Sequence, residues 1–183
     1  MRIYISLIFL ILVSCNSSKI NKDYDEIKDS RFKLMFDKFE EIRNVQLAYY
    51  HFNHRYSNNF TELISFIESE KFPILTVKDT LVNEERIIMK DTLSFVKVKD
   101  SLFKNSDSYL NLGSIQINGK KFPLELTLTD NQNNEGQDKQ SFKVKIRKEH
   151  LLSGADNGQI KKEKITGDYF YFDSKKEKNP NFD

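Results

Sequence analysis

Residues 32–72 read FKLMFDKFEEIRNVQLAYYHFNHRYSNNFTELISFIESEKF, and the rest of the chain is organised around them. Phe32, Met35, Phe36, Phe39, Ile42, Val45, Gln46, Tyr49 and Phe52 recur at steps of three and four. That spacing lines one face of a helix with a 3.6-residue period. Lys33, Asp37, Lys38, Glu40, Glu41, Arg43 and Asn44 occupy the opposite face, so one side is expected to be buried and the other wet. The stripe is rich in Phe and reads as core packing, not as a cofactor box. Asn53-His54-Arg55-Tyr56-Ser57-Asn58-Asn59 then supplies turn-forming side chains, and Asn59 followed by Glu62 has the form of a helix-start capping box. Phe60, Leu63, Ile64 and Ile67 give a second, short helix its apolar side, and Pro73 is expected to prevent it continuing past Phe72.

Outward from this segment toward the start, Met1-Arg2 precedes an apolar run from Ile3 to Val13 broken only by Ser6. A bilayer span needs about 20 apolar residues, so this run reads as a secretory signal. Leu12-Val13-Ser14-Cys15 resembles a bacterial lipobox, and the single Cys of the chain stands where that motif requires it. The resemblance implies acylation of Cys15, a membrane anchor through the N-terminal lipid, and a mature chain without a disulfide. Asn16 stands where Asp would imply retention in the inner membrane, and Asn16-Ser17-Ser18-Lys19 carries no acidic residue. The resemblance therefore implies an outer-membrane lipoprotein facing the periplasm.

The resulting division is a signal peptide over 1–14, lipidated Cys and polar tether over 15–28, one domain over 29–174 and a polar tail over 175–183. With 29 Lys and Arg against 27 Asp and Glu the net charge is +2, and loss of Arg2 with the signal brings it closer still to neutral. Nucleic acid is not an expected partner, because binding its phosphates needs a concentrated positive face. The basic clusters at Lys161-Lys162 and Lys175-Lys176 are each interrupted by Glu and read as solvated surface.

Ile42-Arg43-Asn44-Val45-Gln46-Leu47-Ala48-Tyr49-Tyr50, then Asn53, Tyr56 and Phe60-Thr61-Glu62-Leu63-Ile64, resembles the helix-to-loop segment of type IV pilin-like proteins. The likeness is greater to a group of uncharacterised envelope lipoproteins of Bacteroides-type bacteria, in which such a segment precedes a strand-rich region. Asp91-Thr92-Leu93 and Asp100-Ser101-Leu102-Phe103 also match that group. A lipobox replaces the prepilin cleavage site and long hydrophobic helix of true pilins, so the resemblance implies a pilin-like arrangement and does not extend to filament assembly. It assigns no activity.

From Ile74 onward the apolar period shifts toward two. Leu93, Phe95, Val96 and Val98 suggest a strand, with a short helical turn beginning near Asp100. Ile115-Gln116-Ile117 and Phe122 to Leu128 flank Asn118-Gly119, the dipeptide of two-residue type I′ hairpins, and Pro123 marks an edge. Asn131 to Lys139 reads as a polar loop. Phe142, Val144 and Ile146 alternate with Lys143, Lys145 and Arg147, and Ile160 to Ile165 and Tyr169 to Phe172 read as closing strands. Helices first and antiparallel strands later predict an α+β fold, a long and a short helix packed on an antiparallel sheet.

Catalytic chemistry finds little support. His51 and His54 lie three apart and His150 could join them in a zinc-type site, but no HExxH is present and the helix is dissolving into Asn and Tyr there. The chain lacks GxSxG and Gly-rich phosphate loops, and no metal, cofactor or catalytic residue is assigned. Asp79-Thr80, Asp91-Thr92 and Asp100-Ser101, each followed by Leu, resemble the O-glycosylation sites of exported proteins in Bacteroides-type bacteria, with Thr80, Thr92 and Ser101 as acceptors. Turn and cap chemistry explains the same pattern. The expected job is noncatalytic: an interaction or structural subunit of an envelope complex that docks an envelope protein through the sheet, its Pro-marked edge or the corner from Tyr49 to Asn59, where Tyr49, Tyr56 and Asn58 are the candidate docking residues. The alternative is a periplasmic inhibitor or immunity-type lipoprotein.

Overall fold

A computed structural model describes the backbone of residues 2–82, 85–104, 106–132, 138–155, 167–175 and 181–182. Helix α1 (Arg2–Asn53) carries the expected stripe, and side chains are described from Asp25 onward. Met35, Phe39, Ile42, Val45, Gln46, Ala48 and Tyr49 are buried. Phe36 stands at the margin of the stripe and is exposed, because successive residues turn by about 100° and Met35 and Phe39 already define the buried line. Among the described residues no helix is long and apolar enough to cross a membrane.

The chain leaves α1 at His54, whose φ of 55° is left-handed and whose N–H still donates to the Tyr50 carbonyl at 2.8 Å. Helix α2 (Phe60–Ser69) is capped by Asn59, whose side chain accepts from the Thr61 N–H at 2.8 Å. Glu62 does not complete a capping box, since the Asn59 N–H is taken by Ser57 Oγ at 3.0 Å. Nor does Pro73 end the helix. It stops at Ser69, where Glu70 turns extended and its carbonyl accepts from the Val98 N–H at 3.0 Å.

Strands β1 (Lys71–Val82) and β2 (Glu85–Lys97) form an antiparallel ribbon that, among the described residues, pairs with no other strand. Pro73 is tolerated within β1 because its outer edge is unpaired, so no ladder bond misses its N–H. Helix α3 (Val98–Phe103) and a 3-10 turn (Asp107–Asn111) lead back to the core through Val98, Phe103 and Tyr109.

Strands β3 (Ser114–Ile117) and β4 (Lys120–Pro123) are joined by Asn118-Gly119, with φ of 49° and 78°, the left-handed pair a type I′ turn requires. The second arm does not run on to Leu128 as its alternation suggests. Pro123 ends β4, the Leu124 N–H turns to the Gly113 carbonyl at 2.9 Å, and β5 (Glu125–Gln132) enters a different sheet. Gly113 lies so close to α2 that an added Cβ would stand 2.9 Å from a Phe60 ring carbon.

That sheet has the order β5-β6-β7-β8, all antiparallel, with β6 (Asp138–Arg147), β7 (Tyr169–Asp173) and β8 (Asn181–Phe182). The tail thus returns as a short strand, Phe182 opposite Phe170 and Asn181 opposite Tyr171, because β7 otherwise offers an open edge. Within the expected loop from Asn131 to Lys139, the ends belong to β5 and β6, and 133–137 lie outside the described residues. So does the strand expected at 160–165. Helix α4 (Lys148–Leu151) follows β6.

The core lies where α1 crosses this sheet. Phe142, Val144, Ile146 and Phe170 are buried, Phe32 meets Phe170 edge-on at 5.3 Å, and Phe39 lies 6.3 Å from Phe172. The architecture is α+β, a long helix and short helices with small antiparallel sheets, compatible with the pilin-like order. Replacing Phe39, 2% exposed, by Ala is expected to cost about 3–5 kcal/mol in urea unfolding, against less than about 0.5 kcal/mol for Leu47→Ala at the exposed face.

Candidate functional site

The corner between α1 and α2 is held by polar groups that the helix periods bring together. Gln46 lies on the buried stripe and is fully enclosed. Its Nε2 donates to the Ser57 carbonyl at 2.7 Å and its Oε1 accepts from the Ser57 N–H at 3.0 Å. One side chain thus satisfies both backbone groups of a buried loop residue, which would otherwise carry a desolvation penalty.

Glu62, in the first turn of α2, is the second fastening. Its carboxylate accepts from Tyr49 Oη at 2.6 Å and from the Arg55 guanidinium at 2.6 Å, and from Ser57 Oγ. The Ser57 hydrogen bond first, and that from Tyr49 next, hold the Glu62 carboxyl below its ordinary value of 4.5. Burial, then the carboxylate beside it, pushes the Tyr49 phenol up to about 12. Arg55 also lies 5.4 Å over the Tyr49 ring centre. Charge-assisted bonds of this kind are stronger than neutral ones, and here they converge on one carboxylate.

On this frame sit two rings. Tyr56 packs edge-on against Phe142 at 5.0 Å, and its N–H donates to Gln140 Oε1 at 2.6 Å. Tyr50 lies against Tyr56 at 4.8 Å with planes 33° apart, and it is 42% exposed. Burial raises the pKa of the Tyr56 phenol, and the neighbouring Tyr50 adds to the rise. The corner therefore presents a rigid aromatic pair with exposed Asn53, His54, Arg55 and Asn58 around it.

Of the three residues expected to form a docking surface, Asn58 is exposed, Tyr56 half-buried and Tyr49 buried. Tyr49 has no ring surface to offer a partner. It belongs to the stripe, packs edge-on against Phe66 at 5.3 Å and spends its hydroxyl on Glu62. Tyr50, within the expected corner but outside the three singled-out residues, is the exposed ring. Its helical angle was the available signal, because it falls one step off the line of Val45, Gln46 and Tyr49.

Elsewhere, Thr92 on β2 and Ser101 on α3 are exposed, while the side chains of Thr80 and Cys15 lie outside those described. His51 and His54 are exposed at the end of α1, and His150 stacks on Phe122 at 4.9 Å. Among the described residues no group of three or more His, Cys, Asp or Glu is placed to hold a metal ion. A shallow depression of about 290 Å³ on the outer face of β6 and β7 is lined by Lys143, Lys145, Tyr169 and Tyr171. Its cations lie over its own rings, Lys143 at 4.6 Å from Tyr171 and Lys145 at 5.7 Å from Tyr169.

No protein-family model, curated protein or solved structure matches this chain.

Two outcomes test the frame. Gln46→Leu leaves the Ser57 N–H and carbonyl buried without partners and is expected to lower unfolding stability by about 2–4 kcal/mol. For Glu62, the depressed folded pKa means a contribution that is complete above the unfolded value and lost as pH falls through the folded one. The stability difference between the wild type and Glu62→Gln, followed by urea unfolding, should hold constant near neutrality and shrink below about pH 4.5. An equal difference at about pH 3 and about pH 7 would remove the ionised carboxylate from the account.

Proposed function

We propose that the chain is an outer-membrane-anchored, periplasm-facing lipoprotein that serves as a noncatalytic interaction or structural subunit of an envelope complex. The anchor is the acylated Cys15 of the lipobox-like Leu12-Val13-Ser14-Cys15. The partner is an envelope protein, docked at the corner that follows α1.

The observation that carries this reading is the exposed Tyr50 ring held against Tyr56 at 4.8 Å on a corner fastened by Gln46 and Glu62. Tyr combines an apolar ring with a hydrogen-bonding tip, and such rings recur among the residues that dominate binding energy. Because the corner is already ordered, docking there loses little conformational entropy. The helix also sets the reach. Tyr50 lies 25 residues beyond Asp25 in α1, about 38 Å at 1.5 Å per residue, which carries the corner well clear of the anchored end.

Crosslinking in intact cells followed by purification of the lipoprotein tests the reading. Tyr50→Ala should reduce recovery of the crosslinked envelope partner about tenfold or more while leaving the unfolding midpoint unchanged, and Cys15→Ser should abolish it. Undiminished recovery from Tyr50→Ala would overturn the assignment of the corner as the dock.

A further inference from the structure

The stretch that joins α1 to α2 carries no acidic residue of its own. From Ile42 to Thr61 the chain has Arg43, His51, His54 and Arg55 and no Asp or Glu. Glu62 follows, but its carboxylate is turned onto Tyr49, Arg55 and Ser57. Arg55 is thereby neutralised, and Arg43 is not.

From Lys28 onward the other basic residues of α1 before Arg43 are all engaged. Lys28 lies 3.7 Å from Asp25, Arg31 donates to Asn118, Lys33 pairs with Asp37 at 3.3 Å and Lys38 with Glu41 at 2.6 Å. Arg43 is exposed and has no counter-charge among the described residues, although Glu40 stands three residues before it on the same helix. A lone surface cation is ordinary. What marks Arg43 is its neighbours.

Arg43, Leu47 and Tyr50 stand at i, i+4 and i+7, one line of the helix about 10 Å long. Leu47 is 45% and Tyr50 42% exposed, and Tyr56 returns from the corner to lie against Tyr50. Arg43 is near enough to act on that second ring: burial first and Tyr50 next raise the Tyr56 phenol, and the guanidinium opposes them. Neither phenol hydroxyl has a hydrogen-bond partner among the described residues. A cation, two hydroxyls and an apolar platform thus share one patch, with their hydrogen-bonding capacity unused within the chain.

Resting on the corner as the dock, we propose that this patch takes a carboxylate side chain of the envelope partner, so that the partner presents an acidic segment to Arg43, Tyr50 and Tyr56. The planar guanidinium matches a carboxylate through two parallel bonds. A carboxylate is favoured over a phosphate by where the patch lies. The corner is well clear of the anchored end, and so of lipid head groups, and Leu47 with the ring pair gives the apolar neighbours of an acidic residue a surface to pack on. Arg and Tyr are both enriched at protein interfaces. A complementary charge here also sets the orientation of docking and speeds encounter.

Two measurements test the acidic character of the partner. In the first, the purified lipoprotein is titrated with hexaglutamate and followed by NMR at the Arg43 Nε–H and the Tyr50 and Tyr56 rings. These resonances should shift together and saturate. Arg43→Gln should weaken binding about tenfold, and Arg43→Lys less, because a point charge replaces a fork. Inorganic phosphate, at the same concentration of anionic groups, should bind about tenfold more weakly. No shift with hexaglutamate, indifference to Arg43→Gln, or equal binding of phosphate would each overturn the proposal. In the second, crosslinking in intact cells, Arg43→Glu should lower recovery of the partner about tenfold. The unfolding midpoint should not change, since Arg43 is exposed. Full recovery from Arg43→Glu where Tyr50→Ala loses the partner would overturn the acidic contact and leave the corner as the dock. Full recovery from both variants would overturn the dock itself, and this proposal with it.

Discussion

The fold depends on the burial of one stripe of α1 against the sheet that ends the chain. Met35, Phe39, Ile42, Val45 and Tyr49 are all buried, and the opposing surface is Phe142, Val144, Ile146 and Phe170. The chain has no Trp and a single Cys, so neither indole bulk nor internal disulfides contribute to this contact. Phenylalanine does the filling. Phe32, Phe39, Phe142, Phe170 and Phe172 meet across the layer as tilted or edge-on pairs between 5.3 and 6.3 Å apart, the arrangement that ring quadrupoles favour. Helices α2, α3 and α4 and the β3-β4 hairpin pack around this seam.

Two kinds of fastening follow from it. At the C-terminal end of α1 the seam buries Ser57, and Gln46 satisfies its backbone while Glu62 accepts from its hydroxyl, in one connected polar network. A buried network with all members satisfied specifies a single arrangement. This accounts for a corner of turn-forming residues that nevertheless holds Tyr50 and Tyr56 in one relative position. About six turns before the corner, α1 is fastened more lightly, by Arg31 donating to Asn118 Oδ1 at 2.8 Å across the hairpin turn. The corner gains its rigidity from the core.

The ribbon obeys the opposite rule. Its residues alternate as strand residues should, yet Ile74, Leu75, Val77, Ile88, Met89, Leu93 and Phe95 are exposed, and no second layer lies over them among the described residues. Contiguous apolar exposure of this kind is uncommon on soluble monomers. The corner and ribbon also differ in chemistry, one a pair of tyrosines framed by Arg and Asn, the other a flat aliphatic strip with one Phe.

The stripe of α1, the Asn59 cap, the Asn118-Gly119 hairpin and the alternation of β6 were all legible from residue spacing, because each is dictated by local geometry. Periodicity also named most of the core. It could not tell that Phe36 is exposed, that Pro123 sends Leu124 to Gly113 and splits one apparent strand in two, or that Pro73 lies within a strand. The reasons are tertiary: each outcome depends on a neighbour distant in sequence. The candidate site divides along the same line. Its location at the Tyr/Asn corner was readable, but the exchange of roles between Tyr49 and Tyr50, and the use of Glu62 as a shared acceptor in place of a capping residue, were decided by which groups the fold enclosed. Likewise, alternation placed apolar residues on the ribbon, and only the layer structure left that face without a cover.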